Sequence, residues 1–194
     1  MAKVSSLCVY CGSSNRVSPE LLGHAYDLGR GLAEAGIGLV YGGGRVGMMG
    51  RVADGVLSLG GTVTGIIPTN LYDRELAHRG VSDLVVVDTM HERKRQMAER
   101  ADAFAILPGG FGTLDEMFEI VTWRILGLHD KPVLIVNDQG YWDPLLALLD
   151  RIYDEGFASP GTRRHYTIVA AIGDILPNLA SLPGATHPTE GVRI

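Results

Sequence analysis

The sequence predicts an α/β fold: a Rossmann-like open parallel sheet with helices on both faces. Three observations predict it. Apolar, β-branched runs recur along the chain and are continuous rather than alternating, as strands covered on both faces require. Stretches of helical periodicity separate these runs, the pattern of a parallel sheet with crossover helices. Polar or glycine-rich residues gather just after the runs, at the strand carboxyl ends where open sheets bind ligands.

Each element has its own signal. Strand Ser5–Tyr10 leads into Cys11-Gly12-Ser13-Ser14-Asn15. Ser18-Pro19 then gives an N-cap and a proline at the first helical position, predicting a helix over Pro19–Ala35. Strand Ile37–Tyr41 runs into Gly42-Gly43-Gly44-Arg45-Val46-Gly47, which opens a helix over Gly47–Leu59. Strands Thr62–Ile67 and Leu84–Val87 follow, the second ending in Asp88-Thr89-Met90-His91 before a helix over Glu92–Ala101. Strand Ala103–Leu107 meets Pro108-Gly109-Gly110-Phe111-Gly112-Thr113, and a helix is expected over Thr113–Leu126. Strand Val133–Val136, helix Pro144–Glu155, strand Tyr166–Ala170 and a short helix from Ile172 complete the pattern. Residues 1–181 are expected to form one domain. Residues 182–194, with Pro183, Gly184, Pro188 and Gly191, read as a loose tail.

Composition narrows the function. A hydrophobic share of 46% and a charged share of 20% place the 194 residues among globular rather than disordered chains. A net charge of −5 argues against a nucleic-acid binder, which is normally basic. No apolar run approaches the roughly 18 residues of a membrane span. The apolar part of MAKVSSLCVYCGSS is too short for a signal peptide, so a cytoplasmic location is expected. Cys8 and Cys11 form a CxxC, but their odd spacing sends them to opposite faces of a strand, against a redox pair. The histidines are scattered and form no ligand pair, so neither a metal nor a cofactor is expected.

The turn Pro108 to Glu116 carries the most chemistry. Glycines let an anion approach backbone N–H groups, and a helix N-terminus already presents them with a partial positive charge. A phosphate is the natural occupant, with Glu116 close to it. The same Thr113-x-x-Glu116 spacing also fits a capping box, and the segment alone leaves both readings open. Gly42-x-Gly44-x-x-Gly47 matches the dinucleotide fingerprint, yet the following stretch Gly61 to Ile67 lacks the acidic residue that would hold a ribose. It reads as a phosphate- or backbone-approach loop. Arg93, Lys94 and Arg95 stand at a helix start, where the dipole opposes cations. A bound anion would remove that conflict, with Arg93 and Lys94 facing it and Arg95 solvated. Ser13 and Ser14 suit a ribose or phosphate, or an ordinary turn. Glu75 reads either as a surface residue or as a reach towards the same sheet edge.

Met90-His91-Glu92-Arg93-Lys94, then Ala101-Asp102-Ala103-Phe104, then PGGFGTLDE resembles the MHxRK, ADAF and PGGxGTxxE signature of the LONELY GUY proteins. The resemblance extends from the Gly12-Ser13-Ser14 loop to Leu126-Gly127-Leu128-His129-Asp130-Lys131-Pro132, with Phe111 at a position where plant members commonly have tyrosine. It implies a cytokinin riboside 5′-monophosphate phosphoribohydrolase, which hydrolyses the N-glycosidic bond of an N6-substituted AMP. It also implies Arg93 and Glu116 as the catalytic pair. Substrate contacts are implied for Glu75, Arg93, Lys94, the turn of Gly110, Phe111, Gly112, Thr113, Leu114, Asp115 and Glu116, and Thr122, and Gly109 is a candidate contact beside that turn. Ser14, Gly43 and Gly44 are candidate contacts by position. A homodimer with the site near the subunit interface is implied too. The alternative from another class is a non-catalytic nucleotide or molybdenum-cofactor carrier of this fold, which would not need Arg93 and Glu116 together. Similar sequences often carry the label lysine decarboxylase. The only lysines are Lys3, Lys94 and Lys131, and none has a pyridoxal-binding context.

Overall fold

Successive residues of β1 (Ser6–Tyr10) point to opposite sides of the sheet, and all beyond the first are buried. Leu7 and Val9 pack on one face, Cys8 and Tyr10 on the other. That two-sided burial demands helices above and below. The computed structural model, which describes residues 4–72 and 76–181, supplies them.

The other strands are β2 (Gly38–Tyr41), β3 (Val63–Pro68), β4 (Asp83–Val87), β5 (Ala103–Ile106), β6 (Val133–Val136) and β7 (Thr167–Val169). They form one sheet in the order β4-β3-β2-β1-β5-β6-β7. Every adjacent pair is parallel. The helices are α1 (Pro19–Ala35), α2 (Gly47–Ser58), a single turn α3 (Thr69–Tyr72), α4 (Met90–Arg100), α5 (Phe111–Ile125), α6 (Asp143–Asp154) and α7 (Ile175–Ser181). Leu28 and Leu32 of α1, Val52 and Val56 of α2 and Ile175 of α7 cover one face. Met97 of α4, Met117 and Ile120 of α5 and Leu145 of α6 cover the other. Among the described residues, no helix is long and apolar enough to cross a membrane.

The predicted fold class therefore holds, and so does the opposed placement of Cys8 and Cys11, which are both buried and free in separate core clusters. The corrections lie at element ends. Helix α4 starts two residues before the predicted Glu92, because the Thr89 hydroxyl accepts from the Glu92 N–H at 3.1 Å and so caps an earlier turn. Strand β7 is shorter than predicted, since a 3-10 segment over Pro160–His165 runs up to it. The turns α3 and Asp138–Gly140 were not foreseen. Helix α5 starts at Phe111 with Gly110 as its N-cap, so Thr113 lies inside the helix. The Thr113–Glu116 capping box is thereby overturned. Glu75 and the 182–194 segment lie outside the described residues.

Candidate active site

The chain runs outward from β1 through β2 to β4, then returns to the other side of β1 for β5 to β7. The loops after β1 and β5 consequently part in opposite directions and leave a crevice between them. That crevice is a cleft of about 470 Å³, lined by Gly12, Ser13 and Ser14 after β1 and by Pro108 to Thr113 after β5. Arg93, Glu116 and Tyr141 reach into it, and Val17, Leu21, Met49 and Leu71 supply an apolar side. Its volume is within the roughly 300–1,000 Å³ usual for small-molecule sites.

The start of α5 carries no side-chain cap, unlike those of α1 and α4. Ser18 caps α1 by accepting from the Leu21 N–H at 3.2 Å, and Thr89 caps α4. Gly110 has no side chain to cap α5, and no side-chain cap bond forms there. The first-turn N–H groups of a helix have no intrahelical partners. Here they border the cleft, where an anion can take them up.

Beside this open end lies a buried ion pair. Arg93 Nη1 donates to Glu116 Oε1 at 2.9 Å, and both side chains are about nine-tenths buried, at 10% and 8% exposure. The guanidinium is held from other directions as well. Its Nε donates to the Ile66 carbonyl of β3 at 3.2 Å, and Nη1 lies 3.3 Å from the Met90 sulfur. A Cβ on Gly42 would fall on this guanidinium, so the first glycine of the β2 loop leaves room for it. Burial pushes the Glu116 carboxyl above its ordinary value, with the Arg93 charge acting against that shift. The result is a carboxylate with raised proton affinity, held beside a fixed cation at the edge of the cleft.

The other predicted residues divide by position. Ser14, Gly109, Gly110, Phe111, Gly112 and Thr113 line the cleft with Arg93 and Glu116, and Phe111 is almost wholly exposed. Lys94 instead pairs with Asp115 at 3.1 Å and Glu119 at 2.9 Å, tying α4 to α5. Leu114 packs against the core. Thr122 lies further along α5, beside an apolar groove shared with α6. Gly43 and Gly44 are not brought to the cleft. The Gly43 carbonyl accepts from the His78 N–H, and Gly44 forms a bridge with Ala77. Arg95 points outward and pairs with Glu92 and Glu99, as its expected solvation requires. Sequence reasoning missed Tyr141, although the loop after β6 also ends at a strand carboxyl end and could have been flagged on that ground.

Neither described lysine offers an amine to the cleft. Lys131 Nζ donates to the Ala98 carbonyl at 2.7 Å near the end of α4, and Lys94 is engaged as above.

Comparison with known proteins identifies the family. The family model described as "Possible lysine decarboxylase" matches residues 49–179. A cytokinin riboside 5′-monophosphate phosphoribohydrolase of Arabidopsis thaliana is 46% identical over 84% of this chain and 75% of its own. A second from that plant is 45% identical over 87% of this chain and 79% of its own. Among solved structures, the molybdenum cofactor binding protein from Rippkaea orientalis superposes with a TM-score of 0.70 at 23% identity, covering 93% of this chain and 98% of that one. The Moco carrier protein from Chlamydomonas reinhardtii gives 0.68 at 20% identity, over 92% and 96%. These two establish a shared fold alone. By sequence, the chain belongs to the LONELY GUY family, the family whose model bears the lysine decarboxylase description.

Proposed function

We propose that this protein hydrolyses the N-glycosidic bond of adenosine 5′-monophosphates, N6-substituted ones included, to free base and ribose 5-phosphate. The buried Arg93–Glu116 pair at the edge of the cleft carries this reading. A binding protein has no need to bury a carboxylate whose proton affinity is raised, whereas a hydrolase that must draw a proton from water does.

In the mechanism, the open N-terminus of α5 and Thr113 hold the 5′-phosphate, anchoring the nucleotide through a group remote from the reacting bond. The bond between C1′ and the base nitrogen breaks, and its electron pair leaves with the base. Positive charge grows on the ribose, and the Glu116 carboxylate stabilises it. Glu116 then accepts a proton from the water whose oxygen bonds to C1′, and solvent protonates the base. Arg93 favours the charged form of the carboxylate against the opposing effect of burial, and aims it. The relatives' names support this reading. Incubation with AMP and with N6-isopentenyl-AMP should release free base and ribose 5-phosphate in equal amounts. Tight binding of either nucleotide without base release would favour the carrier alternative.

The cleft residues proposed for substrate are Ser14, Arg93, Glu116 and the Gly109-to-Thr113 turn. We assign Lys94, Leu114 and Asp115 to holding that turn, leave Glu75 and Thr122 as family-implied contacts, and set Gly43 and Gly44 aside from the cleft. We further propose a homodimer. Met97, Met117 and Ile120 are consumed by the core, but Phe118 and Ile125 on α5, Leu126 just past it and Phe157 beyond α6 stay exposed. A mass near 20.8 kDa by light scattering at micromolar concentration would rule the dimer out. A cytoplasmic location is consistent with the free Cys8 and Cys11, and cell fractionation tests it.

A further inference from the structure

The Tyr141 hydroxyl donates to the Gly109 carbonyl at 2.7 Å. This contact joins the loop after β6 to the turn that opens α5, and nothing in the mechanism above uses it. The loop that delivers Tyr141 is unusual. Gln139 has φ 55, the one non-glycine residue with positive φ among those described, and Gly140 follows with φ 72. Residues are held in that region only where their surroundings over-determine it, and such sites tend to be functional. Here the surroundings are specific. Asn137 Oδ1 accepts from the Trp142 N–H at 2.7 Å, and Asn137 Nδ2 donates to Asp143 at 2.7 Å. Trp142 packs edge-on against the Tyr141 ring, with centroids 4.7 Å apart. The half-exposed ring is thus held on one side by Trp142 and at its tip by Gly109.

We propose that Tyr141 is a positioning residue that holds the Gly109–Gly110 peptide with its N–H, rather than its carbonyl, available to a ligand phosphate. The inference rests on the phosphate assignment of the preceding subsection. In a planar trans peptide the C=O and N–H point in opposite directions. Fixing the Gly109 oxygen towards Tyr141 therefore fixes the Gly110 N–H away from it. Two consecutive glycines hinder a flip of their shared peptide very little. A flipped peptide would withdraw one donor and turn a carbonyl oxygen towards the anion. The flip also carries Gly110 from φ −105 into the positive-φ region, which glycine tolerates and alanine resists. No Cβ clash opposes alanine at Gly110.

The test uses the full chain and product inhibition of AMP hydrolysis. Tyr141→Phe should weaken inhibition by ribose 5-phosphate about tenfold, as expected for one lost hydrogen bond to a ligand-facing element. Inhibition by adenine should stay within about twofold, and the melting temperature should be nearly unchanged. In a Gly110→Ala background the same Tyr141→Phe change should cost less than about threefold, because alanine itself disfavours the flip. Inhibition by ribose 5-phosphate within about twofold of wild type in Tyr141→Phe overturns the proposal. So does equal weakening of both inhibitors, which marks a general packing role. So does an undiminished penalty in the Gly110→Ala background. If ribose 5-phosphate does not inhibit the wild type, the phosphate assignment itself falls, and the role of Tyr141 with it.

Discussion

Two glycine-rich turns lead from strands into helices, and the structure uses them in opposite ways. At Gly42–Gly47, before α2, the protein's own groups take up much of the turn among the described residues. The Gly47 N–H donates to Asn15 Oδ1 at 2.9 Å, and the Met48 N–H donates to the Gly12 carbonyl at 3.0 Å. The Arg45 N–H donates to the Leu76 carbonyl at 2.9 Å, and the Arg93 guanidinium occupies the space at Gly42. At Pro108–Thr113, before α5, the corresponding end faces a cleft. The difference teaches that glycine spacing reports close approach by something. Whether that something is the chain itself or a ligand depends on what the neighbouring loop does.

The largest expected effect tests the open turn directly. Adenosine should be cleaved about a thousandfold more slowly than AMP, because an anchored phosphate contributes several kcal/mol that can be directed at the transition state. Equal rates on the two would make the α5 turn as closed, functionally, as the α2 turn. Next in size is Glu116→Gln. Turnover should fall about a hundredfold or more, roughly 3 kcal/mol, while folding and nucleotide binding survive. A variant within a few-fold of wild-type kcat would return Glu116 to a packing role.

Alanine at each turn then separates stability from binding. At Gly47, with φ 65, a Cβ would lie 2.5 Å from the Ser14 nitrogen, so Gly47→Ala should cost about 2–3 kcal/mol of stability. At Gly112 a Cβ meets nothing within 4 Å. Gly112→Ala should melt like wild type and raise KM for AMP. Denaturant unfolding beside steady-state kinetics checks both, and the contrast collapses if the two variants behave alike.

The smallest effect concerns how α5 is held away from its open end. His129 is buried and its Nε2 donates to the Ile120 carbonyl at 2.9 Å. Burial pushes its pKa down to about 4 from the ordinary 6.5. The folded protein therefore keeps His129 neutral where the unfolded chain would take up a proton. Its contribution to stability is full above pH 6.5 and is lost as pH falls towards 4, on the order of 1–2 kcal/mol by pH 5. His24 has the opposite sign. Asp138, 2.7 Å away, raises its pKa, so its contribution is present below pH 6.5 and lost as pH climbs through the raised value. His129→Gln should flatten the acid side of the stability profile, and an unchanged acid side in urea melts would refute the assignment.

The family signature likewise mixes two kinds of residue. Arg93 and Glu116 meet at the cleft, but Asp102 of ADAF accepts from the Ser5 and Ser6 N–H groups, at 2.9 and 3.0 Å, and pins the start of β1. His129 and Lys131 of the LHDKP stretch bind backbone carbonyls of α5 and α4. A motif read as one chemical unit is thus partly scaffold.

The sequence by itself determined the parallel sheet, because continuous apolar strands must be covered on both faces, and it pointed to the sheet edge where a cleft lies, because loops collect at strand carboxyl ends. It also picked out Arg93 and Glu116, which sit in chemically conspicuous contexts. Only tertiary structure decided that these two side chains meet, that Glu116 caps nothing, and that one glycine turn is filled while the other stays open. It alone brought Tyr141 onto Gly109, 32 residues earlier in the chain. The physical reason is the same in each case. Periodicity and capping are local and are written in neighbouring residues, whereas a contact between loops of different strands depends on strand order, which no local pattern encodes.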